Sequence, residues 1–93
     1  MRLSTHEINS IKETVKNADQ NARILLFGSR VDNKKRGGDI DLLIFSHKLK
    51  AKDCFGIKKV LWEKIGEQKI DIIITRDESD PFTGIALREA VLL

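Results

Sequence analysis

Apolar and polar positions follow two different periods along this chain. Ser4 to Glu7 has the form S-x-x-E, a capping box that opens a helix. Ile8, Ile11, Val15 and Ala18 then recur at helical spacing and define one apolar stripe. Residues 23–27 (RILLF) form a short apolar strand, broken by Gly28 and Ser29. Residues 39–45 (DIDLLIF) form a second strand. From Ala51 to Gly66 the period turns helical again, with Cys54, Ile57, Leu61 and Ile65 on one stripe and lysines opposite. Residues 69–75 (KIDIIIT) read as a third strand and residues 77–80 as a polar turn. Pro81 suits the first position of a last helix, capped by Ser79 or Asp80. That helix turns Phe82, Ile85, Ala86 and Ala90 inward and leads into Val91, Leu92 and Leu93.

The order is helix, strand, strand, helix, strand, helix. The long helix between strands two and three makes them a parallel pair with a right-handed crossover. Strands one and two are joined by a loop, which allows an antiparallel pair. The expected fold is α/β in the α+β sense: a small three-stranded mixed sheet backed by helices. Strands two and three are apolar on both alternations apart from their aspartates, so both faces of the sheet should be covered.

The 93 residues suit a single domain spanning 1–93. A hydrophobic fraction of 41% against 33% charged residues fits a globular chain rather than a disordered one. The net charge of +3 permits an anionic partner but lacks the strong basic stripe of a nucleic-acid binder. Nucleic acid is therefore not expected as a direct substrate. The single cysteine, Cys54, excludes an internal disulfide and suits a reducing compartment. No apolar run approaches the roughly 20 residues of a membrane span. With no signal-peptide core at the N-terminus, the expected location is the cytoplasm.

Two aspartates inside an otherwise apolar strand need a partner, because an uncompensated buried carboxylate is costly. Asp39 and Asp41 stand at i and i+2, on one face of their strand. Asp71 lies at a similar depth in the third strand, so parallel pairing would bring it alongside. Three crowded carboxylates raise one another's pKa unless a cation neutralises them, and a hard ion such as Mg²⁺ with oxygen ligands is the natural choice. Gly28 and Ser29 directly follow the first strand, where glycine lets a phosphate approach the backbone and the hydroxyl can donate to it. Lys34, Lys35 and Arg36 add positive charge in the intervening loop. A phosphate-binding turn beside carboxylate-held metal is the equipment of phosphoryl or nucleotidyl transfer. His6 and His47 have no second ligand nearby in sequence. Cys54, Trp62, Phe27 and Phe45 read as packing.

The stretch GSRVDNKKRGGDIDLLI resembles the G-S…D-x-D signature of the DNA polymerase beta-like nucleotidyltransferase superfamily. KIDIII looks like the strand carrying its third carboxylate. The length and the ending DPFTGIALREAVLL resemble the minimal nucleotidyltransferases, the MNT-domain proteins of prokaryotes. The resemblance implies that Gly28 and Ser29 take the nucleotide phosphates. It makes Asp39, Asp41 and Asp71 the Mg²⁺ ligands and catalytic carboxylates, with Asp71 as the base. It also implies ATP or another NTP as substrate and a helical HEPN-domain protein as partner, in a homo- or hetero-oligomer. In some such pairs the MNT protein is an antitoxin that transfers AMP onto its toxin. Gly38 departs from the pattern, since many relatives carry serine before the first aspartate. Three functions are thus open: an enzyme adenylating a partner protein, a non-catalytic antitoxin acting by contact, and a subunit that nucleotidylates a small molecule.

Overall fold

The computed structural model describes residues 3–28, 39–76 and 90–93. Helix α1 spans Thr5–Ala18, strand β1 Arg23–Phe27 and strand β2 Ile40–Phe45. A turn of 3₁₀ helix at Ala51–Asp53 leads into α2, Cys54–Ile65, followed by β3, Ile70–Thr75, and β4, Val91–Leu92. The capping box at the head of α1 is formed in both directions. Ser4 Oγ accepts from the Glu7 amide at 3.0 Å, and Glu7 Oε1 accepts from the Ser4 amide at 2.9 Å. Two otherwise orphaned donors of the first turn are thereby satisfied, a contribution of about 1 kcal/mol. At the far end of α2, Gly66 takes φ +87° and its amide closes on Trp62 O at 3.0 Å, ending the helix.

The sheet runs β3-β2-β1-β4, with β1–β2 and β1–β4 antiparallel and β2–β3 parallel. The expected antiparallel and parallel pairs are both present. The expected count of three strands is corrected to four, because Val91 and Leu92 pair with Leu26 and Leu25 of β1 instead of merely capping the end of a helix. The proposed turn at 77–80 and nearly all of the proposed last helix, with Phe82, Ile85 and Ala86, lie outside the described residues. Ala90 does pack inward, against Leu25, Leu43 and Phe45.

Strand alternation sorts the side chains into two faces. Ile24 and Leu26 of β1, Ile40, Leu42 and Ile44 of β2, and Ile70, Ile72 and Ile74 of β3 form one face with Ile11 and Val15 of α1 and Ile57 and Leu61 of α2. This is the main core, and each fully buried aliphatic contributes about 1.5–3 kcal/mol of transfer free energy. The opposite face holds a smaller cluster of Leu25, Leu43 and Phe45, with Phe27 and Ile73 against it. Trp62 packs on the main core, as read from the sequence, and its Nε1 donates to Gln68 O at 2.8 Å. No helix among the described residues is long and apolar enough to cross a membrane.

A buried polar knot ties α1 to the end of β2. Ser46 Oγ donates to Asp19 Oδ2, and the Asn21 amide donates to Asp19 Oδ1 at 3.0 Å. Ser46 Oγ in turn accepts from the amides of Lys48 and Leu49. The Ser46 hydroxyl, then the Asn21 amide, hold the Asp19 carboxyl below its usual value of 3.8. A depressed folded pKa gives stability above the unfolded value that is lost as pH falls through the folded one. Ser46→Ala should therefore be less stable than the parent at neutral pH, by a margin that narrows once Asp19 is protonated. Denaturant unfolding at neutral pH and well below pH 3.8 measures this. An equal margin at both would refute the assignment.

Candidate active site

The carboxylates gather at one end of the sheet, on the face away from α1 and α2. In the register of β2 and β3, Asp41 stands opposite Asp71 and Ile40 opposite Ile70. Residues opposite each other in neighbouring strands project to the same side. Asp41 and Asp71 therefore meet on the face of Leu43 and Phe45, with Asp39 two residues back on that same face. Antiparallel pairing of Phe27 with Asp41 brings the end of β1 to this point.

Gly28 follows at once, with φ +80°. A Cβ there would lie 2.2 Å from Asp41 Oδ2 and 3.1 Å from its Cγ. Glycine is thus required twice, by the left-handed backbone and by the carboxylate lying against its Cα. Sequence reading assigned Gly28 an open backbone for phosphate, and its contact with Asp41 emerges only from the fold.

The electrostatics follow from this crowding. Asp41 is half-buried and its carboxyl is pushed above 3.8, first by desolvation, then by the charges of Asp71 and Asp39 and a hydrogen bond to Asp71. Asp71 is exposed. Lys69, missed as a site residue, supplies positive charge there among the described residues. Its Nζ lies 3.3 Å from Asp39 Oδ2, with side chains 69% and 42% exposed, so the pair is solvated and contributes little to stability. Asp39, then Asp71 and Asp41, raise the lysine above its usual 10.5. The signal in the sequence was the register itself, because pairing Asp41 with Asp71 sets Asp39 against Lys69.

The family model "Polymerase beta, Nucleotidyltransferase" matches residues 9–93. The chain belongs to this nucleotidyltransferase family. No curated protein gives a match. The nucleotidyltransferase assignment agrees with the small α+β frame. Domains of this kind commonly use a divalent metal. Among the described residues, however, no three potential ligands are grouped closely enough to hold an ion as they stand. Ser29, Lys34, Lys35, Arg36 and Gly38 lie outside the described residues. A separate groove of about 470 Å³, floored by Ala18, Leu49, Ile57 and Val60, opens between α1 and α2 on the opposite side of the sheet from the carboxylates.

Two expectations follow for the nucleotidyltransferase. Gly28→Ala should lose about 1–2 kcal/mol from the left-handed backbone alone, with a further loss as Asp41 is displaced. Denaturant unfolding reads the sum, and an unchanged midpoint would refute the close packing. Asp41→Asn should be more stable than the parent at neutral pH. A carboxyl with a raised folded pKa binds more protons when native, so its penalty is complete above that pKa and disappears on acidification. The gain from Asp41→Asn should accordingly shrink as pH falls through the acid range.

Proposed function

We propose that this chain is a Mg²⁺-dependent nucleotidyltransferase that moves AMP from ATP onto a hydroxyl of a partner protein. The observation that supports it best is the register of β2 and β3. It collects Asp39, Asp41 and Asp71 on one face beside the glycine that ends β1. The donor set offers carboxylate oxygens only and carries excess negative charge, which suits a hard cation. Asp39, Asp41 and Asp71 would hold Mg²⁺, whose bound charge would offset that of the carboxylates and of the nucleotide phosphates.

The residues divide the remaining work. The backbone at Gly28 and the hydroxyl of Ser29 take the phosphates of ATP. Asp71, the exposed member of the three, is the one an incoming acceptor can reach. It accepts the proton of the acceptor hydroxyl while that oxygen bonds to the α-phosphorus. The bond from the α-phosphorus to the bridging oxygen breaks, and pyrophosphate leaves. A HEPN-type helical protein is the acceptor this reading favours, on the resemblance to the minimal nucleotidyltransferases. In such a pair the chain would act as the antitoxin.

ATP affinity measured by calorimetry should fall when Mg²⁺ is replaced by EDTA, and equal affinity would sink the metal role. Asp39→Asn combined with Asp41→Asn should abolish transfer and leave the fold intact. Ser29→Ala removes one hydrogen bond to a charged group, worth about 1.5–3 kcal/mol, and should slow transfer roughly ten- to a hundredfold. Asp71→Asn should slow it by about 10²–10⁴-fold if it is the base. Intact-mass analysis of the co-expressed helical partner should show added AMP. An unmodified but neutralised partner would favour a contact antitoxin. Efficient labelling of a small molecule by the chain alone would overturn the need for a partner.

A further inference from the structure

Lys69 is placed by the backbone rather than by chance of side-chain conformation. The Ile40 amide donates to Lys69 O at 2.9 Å, which fixes the start of β3 beside the residue between Asp39 and Asp41. Residues 69 and 71 alternate to the same face, so Lys69 emerges on the face of the carboxylates. There it meets Asp39 at 3.3 Å. Asp39 is engaged by this ammonium group, and among the described residues the three carboxylates do not close into a ligand cage.

We propose that Lys69 is a tethered counter-cation that holds Asp39 in the metal-free protein and is displaced from it when a divalent ion binds. Metal affinity is then set by competition between the free ion and a charge built into the chain. The inference rests on the metal reading of the three carboxylates. A lysine suits this role better than an arginine in one respect. Its ammonium is a compact point charge on a flexible stem, able to leave one carboxylate without dismantling a two-pronged contact. The pair is exposed, so releasing it costs little, and the ion gains a ligand without the fold being disturbed.

Mn²⁺ binding to the full chain, without nucleotide, tests this through calorimetry or electron paramagnetic resonance. Lys69→Met should bind Mn²⁺ roughly three- to thirtyfold more tightly, the range for removing one charge a few ångströms from a divalent ion with and without salt screening. Lys69→Arg keeps the charge and can grip Asp39 with two prongs, so it should bind no more tightly than the parent. Lys59→Met is the control for net charge, since Lys59 lies over the Phe55 ring on α2, 5.8 Å from its centroid. Its affinity should match the parent. The rise in melting temperature on adding Mn²⁺ should be larger for Lys69→Met than for the parent. Equal or weaker binding by Lys69→Met would overturn the role of Lys69 while parental Mn²⁺ binding left the metal reading standing. Equal tightening by Lys59→Met would overturn it too, as a mere effect of total charge. Absence of binding in every protein would overturn both readings together.

Discussion

The in-register parallel pairing of β2 with β3 is the constraint on which everything else at the carboxylate end of the sheet depends. Ile40, Leu42 and Ile44 must face α1 and α2 together with Ile70, Ile72 and Ile74. A slip of one residue would turn every side chain of β3 over and drive Asp71 into that aliphatic layer. A slip of two would keep the faces but carry Asp71 about 6–7 Å along the sheet, out of reach of Asp41. The hydrogen bonds from the Ile40 amide to Lys69 O and from the Ser46 amide to Thr75 O pin the pairing at both ends. The turn after α2 sets the phase, with Gly66 stopping the helix and Trp62 bonded to Gln68 O just before β3 begins.

The same pairing concentrates like charge. Three carboxylates at one sheet end work against folding, and the molecule answers with exposure and with Lys69 rather than with burial. Asp71 is open to solvent, Asp39 is partly so, and desolvation pushes the Asp41 carboxyl up. The aliphatic face behind them supplies the stability that tolerates this concentration. Carboxylates and main core therefore occupy opposite faces of β2 and β3, residue by alternate residue.

Much of this was legible in the sequence. The capping box, the helical stripe of Ile11 and Val15, the three longer strands and their pairing directions all follow from local patterns that act over a few residues. The i, i+2 spacing of Asp39 and Asp41 fixed their common face, and the crossover helix implied the approach of Asp71. What escaped depends on distance in three dimensions. Val91 and Leu92 carry no alternation to mark them as a strand, since two residues cannot show a period, and their partners Leu26 and Leu25 lie far back in the sequence. Lys69 was counted only as the first residue of a strand, and register sets it against Asp39. The contact of Gly28 with Asp41 needed the pairing of Phe27 with Asp41 and the left-handed backbone at Gly28. Nothing in the neighbours of Asp19 and Ser46 announces that both will be buried.

The two-residue strand β4 has a bearing on how the molecule comes together. β1 lies inside the sheet with β2 on one edge and Val91–Leu92 on the other, and the Leu93 amide donates to Ile24 O at 2.9 Å. The β1–β2 pair and the β2–α2–β3 crossover close short loops, whereas β4 must close one that spans most of the chain, at a higher entropic cost. Three strands and both helices can assemble before that last edge is filled, leaving β1 an open strand edge in the interim. The strand that delivers Gly28 to Asp41 thus waits on the longest loop closure among the described strand pairs, so the carboxylate end should gain its final rigidity late in folding rather than at its nucleus.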